Sequence, residues 1–245
     1  MNTKTTILKL ALVCVLTAFT SLVSAQTDIT TLAEFTTANA KITDLTQVIC
    51  AGKKVQLSVP TTAGITYQWE TRFPTDDGSG TGVPLGATAG ETFNEPAALP
   101  AGFYTYKLKA TNNTTGCAEI FDQVVFVMPA PTLTVTAPTD VAACTNVSEV
   151  FNFTAAVTNN TVGTLRFPVS YQWYTKASAG TETAVATGGT TSSLALTSPT
   201  VAETYDVYVK SNYVLKSCDE VTSNKPTITV TSGPTKPVIT IAAGN

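Results

Sequence analysis

No histidine occurs in this chain. That removes a histidine general base, a Ser-His-Asp triad, a Cys-His pair and the commonest metal ligand together. The side chains left for chemistry are carboxylates, cysteines and aromatics. Glu91 with Glu95, or Asp219 with Glu220, has the residue types of a glycoside-hydrolysing pair. That reaction needs two carboxyls about 5–10 Å apart across a cleft, one with a raised pKa. Both pairs sit in loop-like sequence without an apolar pocket pattern nearby, so they read as surface charge. Asp76-Asp77-Gly78-Ser79-Gly80 could offer oxygens to calcium, but it lacks the spaced carboxylates and closing glutamate of a calcium loop. It reads as a solvated turn. No nucleophile motif is present, and no catalytic, cofactor or metal residue is assigned.

Cysteine is the remaining reactive type, with 5 in the chain. Cys14 lies in an apolar run, residues 10–23, that follows Lys4 and Lys9 and ends at Val23-Ser24-Ala25. This is the grammar of a secretory signal peptide cleaved before Gln26, and the run is too short for a membrane span. Val13 is a poor residue before a lipidated cysteine, so Cys14 reads as a bystander removed with the signal. Cys50, Cys117, Cys144 and Cys218 remain, an even number in an exported chain, where oxidising surroundings make disulfides the default. Two cysteines per repeat favour Cys50–Cys117 and Cys144–Cys218, each adding about 4 kcal/mol by loop closure. No pair has the short spacing of a structural zinc site.

The repeat itself is visible around two tryptophans. Tyr67-Gln68-Trp69-Glu70 and Tyr171-Gln172-Trp173-Tyr174 each lie between two of these cysteines. Each follows alternating apolar residues and precedes a loop, a tyrosine-bearing strand and a closing strand. Thr/Val-rich runs and a charged content of only 13% favour strands over helices. The alternation predicts strands over residues 42–49, 55–59, 65–69, 92–94, 104–110 and 120–128 in the first copy. In the second it predicts 133–136, 151–157, 169–173, 194–196, 205–209 and 228–230. Residues 73–90 and 177–191 read as loops. Trp69, Trp173, Tyr106 and Tyr205 fall on inward faces and are assigned to the cores. Lys107, Lys109 and Lys210 read as guards against strand-edge association.

A buried tryptophan on a central strand between two cysteines organises immunoglobulin-like sandwiches. The expected fold class is all-β: two tandem immunoglobulin-like antiparallel β-sandwiches after a signal peptide. The expected boundaries are 1–25 for the signal peptide, 26–40 for a lead-in, 41–129 and 130–232 for the two domains. Residues 233–245 read as a linker and the first strand of a third module, since 238–241 resembles 133–136. Pro129-Ala130-Pro131 makes a short, stiff joint.

Cys50-Ala51-Gly52, the Tyr67-Gln68-Trp69 strand, a Gly-rich loop, a tyrosine strand and Thr115-Gly116-Cys117 together resemble the immunoglobulin-like and PKD-like modules of secreted Bacteroidota surface proteins. The resemblance covers residues 41–231. It implies tandem spacer or adhesion modules of an exported protein. The second copy departs at Lys216-Ser217-Cys218 and after Cys144. In strict immunoglobulin topology Cys50 and Cys117 fall at opposite ends of a sandwich, whereas a bridge needs Cα atoms within about 7 Å. Either the topology or the pairing differs, and Cys50–Cys218 across the joint is the alternative.

The net charge of -3 is small and dispersed, which excludes a phosphate-neutralising surface and hence nucleic acid as partner. The Asn-x-Ser/Thr matches at Asn112, Asn146, Asn152 and Asn159 are expected by chance with threonine this common. The expected function is a non-enzymatic, secreted or cell-surface protein whose partner is a protein or glycan at a cell surface. The alternative is a carbohydrate-binding accessory region, for which Phe73, Tyr174 and Tyr208 are the candidate exposed aromatics. N-terminal sequencing of the exported chain should read Gln-Thr-Asp-Ile; a protein that retains Met1 contradicts the cleavage site.

Overall fold

The computed structural model describes residues 27–31, 33–34, 47–76, 78–139, 141–235 and 237, apart from the side chains of 86–89. The predicted signal peptide, most of the lead-in and the 238–241 strand lie outside the described residues.

Thr and Val alternate in short runs, and the chain pleats accordingly. After a lead-in strand β1 (Thr27–Asp28), seven strands build the first sandwich. They are β2 (Gln47–Ile49), β3 (Gln56–Ser58), β4 (Ile65–Phe73), β5 (Val83–Ala89), β6 (Thr92–Asn94), β7 (Gly102–Asn112) and β8 (Ala118–Val127). One sheet runs β2-β8-β7-β4-β5 and faces the pair β3-β6. The second sandwich uses β9 (Thr132–Thr136), β10 (Ala142–Cys144), β11 (Val150–Thr158), a hairpin of β12 (Thr161–Val162) and β13 (Leu165–Arg166), then β14 (Val169–Ala177). It closes with β15 (Glu182–Ala184), β16 (Ser193–Thr197), β17 (Thr204–Tyr213), β18 (Val221–Thr222) and β19 (Thr227–Thr231). Its sheets run β10-β19-β17-β14-β15 and β16-β11-β9. Pairing is antiparallel except for β2 with β8, β10 with β19 and β1 with β13.

The two sandwiches therefore share one immunoglobulin-like plan. In β9 and β19 the sequences TLTVT and TITVT put every threonine outside, while Leu133, Val135, Ile228 and Val230 point inward. Trp173 is fully buried among Phe153, Leu194, Val207 and Val209. Trp69 is buried among Leu57, Phe93, Tyr106, Leu108 and Val125. Tyr106 is fully buried, whereas Tyr205 is half-buried at the margin of its core. Burying one such aromatic contributes about 3 kcal/mol relative to leaving it in water.

Three expectations need correction. Residues 73–90 are not one loop, because β5 pairs with β4 across a bulge after Trp69, and 177–191 is not one either, because β15 pairs with β14. Strands β10, β12, β13 and β15 carry too few residues for a periodic pattern to show, and β5 (VPLGATA) breaks its pattern with Pro and Gly. Lys107, Lys109 and Lys210 do not guard edges, since β7 and β17 are interior strands. They pair across strands with Asp122, Glu70 and Glu182.

The two tryptophans differ in one atom's surroundings. Trp173 Nε1 donates to the Thr191 carbonyl at 2.7 Å, while Trp69 Nε1 is buried with no hydrogen-bond partner. Removing a satisfied donor strands the Thr191 carbonyl, which costs about 1–3 kcal/mol; at Trp69 no such cost arises. Trp173→Phe should therefore lower stability by about 1 kcal/mol more than Trp69→Phe in urea unfolding. Equal losses would contradict this asymmetry.

Candidate interaction surfaces and the joint between the sandwiches

Each sandwich has one cysteine at either end, and strand direction decides which can meet. Cys50 follows β2, which runs parallel to the C-terminal end of β8, Ile49 opposite Val127. Cys117 immediately precedes β8, at its other end. A strand of 10 residues advances about 33 Å, far beyond disulfide reach. The favoured pairings Cys50–Cys117 and Cys144–Cys218 are therefore corrected. Cys50 is bonded to Cys218 of the β17–β18 loop, with Cα atoms 5.7 Å apart. Cys117 is an exposed free thiol and Cys144 a half-buried one. The repeat logic failed because equal cysteine counts per copy say nothing about which end each occupies.

The bridge closes over a third apolar core. Phe126 and Met128 from the end of β8 meet Leu165 and Phe167 of the hairpin and Tyr213 at the end of β17. Phe126 stacks tilted on Phe103 and Phe167 at 4.7 and 5.1 Å, and Phe167 meets the edge of Tyr213 at 6.4 Å. Burial pushes the Tyr213 hydroxyl pKa up; it donates to the Pro129 carbonyl at 3.0 Å. Lys216 Nζ donates to the Val48 carbonyl at 2.5 Å. Asn212 ties the loop that carries Cys218, accepting from its N–H at 2.7 Å and donating to its carbonyl at 2.8 Å. A cavity of about 170 Å³ beside the disulfide is lined by Pro129, Pro131 and Ser211, whose buried hydroxyl has no partner.

The lead-in also belongs to this joint. β1 pairs in parallel with β13, and Ile29, fully buried, enters the third core. Ile29 N donates to the Arg166 carbonyl at 2.8 Å. Arg166 grips the Asp28 carboxylate with two donors, a hydrogen bond that holds the Asp28 pKa below its usual value. Sequence reasoning missed this docking, because one isoleucine in a polar stretch has no period.

The other predicted sites disperse. Of the 76–80 stretch, Asp77 lies outside the described residues; Thr75 Oγ1 donates to the Ser79 carbonyl at 2.9 Å, and no group of three or more metal-ligating side chains occurs among the described residues. Asp219 pairs with exposed Lys53 at 2.7 Å. Glu95 is not surface charge: it is 4% exposed, accepting from Arg72 Nη1 at 2.5 Å and from the Tyr106 hydroxyl at 2.9 Å. Burial, then the Glu95 hydrogen bond, drives the Tyr106 pKa far upward. Glu91 and Glu95 thus have different surroundings, and Glu95 is held by a cation and a phenol within the first core. Of the candidate stacking aromatics, Tyr208 is 2% exposed, and burial with the Glu182 hydrogen bond pushes its hydroxyl up to about 12. Tyr174 stacks on Tyr208 at 5.8 Å, with the Lys210 ammonium 4.6 Å from its ring centroid. Half-buried Phe73 is packed by Gly82 and Lys107.

No protein-family model and no curated protein matches this chain. Among solved structures it is similar to the fibronectin(III)-like modules of Clostridium thermocellum CbhA. The identity is 15% and the TM-score 0.36, with 80% of this chain and 95% of that one covered. It is also similar to three N-terminal domains of the outer capsid protein Hoc of bacteriophage RB49. That match has 12% identity and a TM-score of 0.43, over 79% and 68% of the two chains. A marsupial T cell receptor gives 10% identity and a TM-score of 0.45 over 78% and 73%. The sandwich assignment rests on the strand order and the cores described above.

The bridge spans 168 residues of sequence, and chain-entropy reasoning assigns such a loop roughly 5 kcal/mol, before native-state adjustments. Cys218→Ser should lower the urea midpoint to that of the wild type under reductant. A variant as stable as the oxidised wild type would contradict a structural role for the bridge.

Proposed function

We propose that the chain is a non-enzymatic exported protein whose immunoglobulin-like modules, taken as residues 41–129 and 130–232, act as a stiff spacer at a cell surface or in secretions. It would present its loops, or whatever the array carries, to a protein or glycan partner. The observation that carries this reading is the joint. A third apolar core and a disulfide between sandwiches serve no purpose for two independently mobile domains, but they hold the pair in one orientation. The disulfide fits an oxidising compartment, in keeping with the signal-peptide pattern. No helix among the described residues is long and apolar enough to cross a membrane. Of the expected contact stretches 73–90 and 177–191, the parts outside strands, 74–82, 178–181 and 185–191, are the candidate contact loops. The carbohydrate-binding reading has less support, because Phe73, Tyr174 and Tyr208 are covered by their neighbours.

The test is topological. In cells that export the chain, a C-terminal epitope tag should be removed by protease added to intact cells or be found in the medium. A tag protected until lysis contradicts the proposal. Retention of the purified chain on insoluble polysaccharide would favour the carbohydrate-binding reading instead.

A further inference from the structure

The two sandwiches differ at one sheet edge. In the first, β2 covers β8 only at residues 125–127. Residues 118–122 of β8 form an edge, and every one of them is exposed, Ile120 at 54% and Phe121 at 47%. Beside Phe121 an apolar groove of about 350 Å³ is walled by Leu57, Val59, Tyr67, Trp69 and Leu108. The same edge of the second sandwich is guarded. Lys109 and Lys210 each lie opposite the glutamine of their Tyr-Gln-Trp strand, and on their other side stand Ile120 and Thr222 respectively. Thr222, Ser223 and Asn224 thus take the places of Ile120, Phe121 and Asp122. Asn224 binds the Val135 N–H and carbonyl of β9 at 2.6 and 3.0 Å, and Lys225-Pro226 interrupts the strand before β19. Lysine, proline and a covering element are the usual protection of an edge. Among the described residues none of these protects 118–122.

The edge has a fixed hydrogen-bonding pattern. The Cys117 carbonyl accepts from Asn112 N at 2.8 Å, so the odd-numbered residues of β8 bond to β7 along their ladder. The even-numbered ones turn N–H and C=O the other way, as Met128 N does toward the Ile49 carbonyl. Ala118, Ile120 and Asp122 therefore present their backbone groups outward, with no backbone partner among the described residues.

We infer that this edge pairs antiparallel with the same edge of a second copy, giving a two-fold dimer built on one continuous sheet. Outward groups must meet outward groups, so the axis passes through a residue position. An axis at Glu119 or at Asp122 sets like charges directly opposite, which is destabilising. An axis at Phe121 drives Cys117 of the second copy against Val125, where β2 already pairs. Ile120 remains. It faces Ile120 of the second copy, Ala118 faces Asp122, and Phe121 faces Glu119 with the other Phe121 on the diagonal. Lys107, 2.9 Å from Asp122, offsets the acidic charge of the edge. Because β8 runs toward the joint, antiparallel pairing sends the two second sandwiches in opposite directions. The contact is isologous and closed, so it makes dimers and not fibres.

Sedimentation equilibrium tests this on the chain with Cys50–Cys218 intact and with Cys117→Ser and Cys144→Ser excluding other covalent links. An interface of one strand edge is small and weak, so the range is about 10 μM to 1 mM. Over it the chain should pass from monomer to dimer. Ala118→Lys, set against Asp122 of the second copy, should tighten the dimer about fivefold, and Ala118→Asp should weaken it as much. Ile120→Lys should abolish it, with circular dichroism confirming that each variant folds. The Ile120 N–H should exchange fast in dilute solution and slowly in concentrated solution. Monomer throughout, a dimer that survives Ile120→Lys, or one that both Ala118 variants change alike overturns the inference. So does slow Ile120 exchange in dilute solution, which would assign the edge to another stretch of the same chain.

Discussion

The arrangement depends on the apolar contact between the end of the first sandwich and the start of the second. Phe126, Met128, Leu165, Phe167, Tyr213 and Ile29 are each at most 8% exposed there. Each such side chain contributes about 1.5–3 kcal/mol relative to an exposed one. The Lys53–Asp219 pair beside them has side chains 55% and 80% exposed, and exposed pairs contribute under about 1 kcal/mol. Burial, then, sets the orientation, and the charges adapt to it. The disulfide works on a different quantity. It restricts the unfolded chain and keeps the two faces together whenever the core opens.

The two sandwiches share a plan but not its details, and the differences lie where polar groups are buried. Glu95 and Arg72 form an ion pair at the edge of the first core, with the Tyr106 phenol as a further donor. In the second sandwich Val207 stands at the inward position that corresponds to Tyr106. A charge at such a site is tolerated only with partners, so these three residues must change together or not at all. The hairpin between β11 and β14 is a second difference. It gives the second sandwich Leu165 and Phe167, which join Tyr213 on its side of the joint.

Much of this was legible from alternation. Ile65-Thr66-Tyr67-Gln68-Trp69 and TLTVT display their inward faces in one dimension, and the recurrence of Tyr-Gln-Trp exposed the duplication. The joint was not legible, because its residues come from the ends of elements far apart in sequence. Phe126 and Met128 are the outward-facing members of a closing strand, which look like stray exposed apolar residues until another surface covers them. Glu95 deceived for the opposite reason. A carboxylate in a loop-like stretch reads as surface unless its Arg72 partner, across a strand, is seen. The cysteines were legible in number, but only two of the four expected in bridges are bonded, and their pairing needed strand direction.

The consequence is that the two sandwiches meet through a shared apolar core and one disulfide, which fixes where their loops stand relative to one another. The most direct measurement is native-state hydrogen exchange at the joint. Met128 N–H, bonded to the Ile49 carbonyl, and Phe167 N–H, bonded to the Asn160 carbonyl, should exchange as slowly as Val207 and Val209 in the second core. Exchange at these two amides as fast as in the 113–116 turn would mean that the joint opens freely, contradicting a third core.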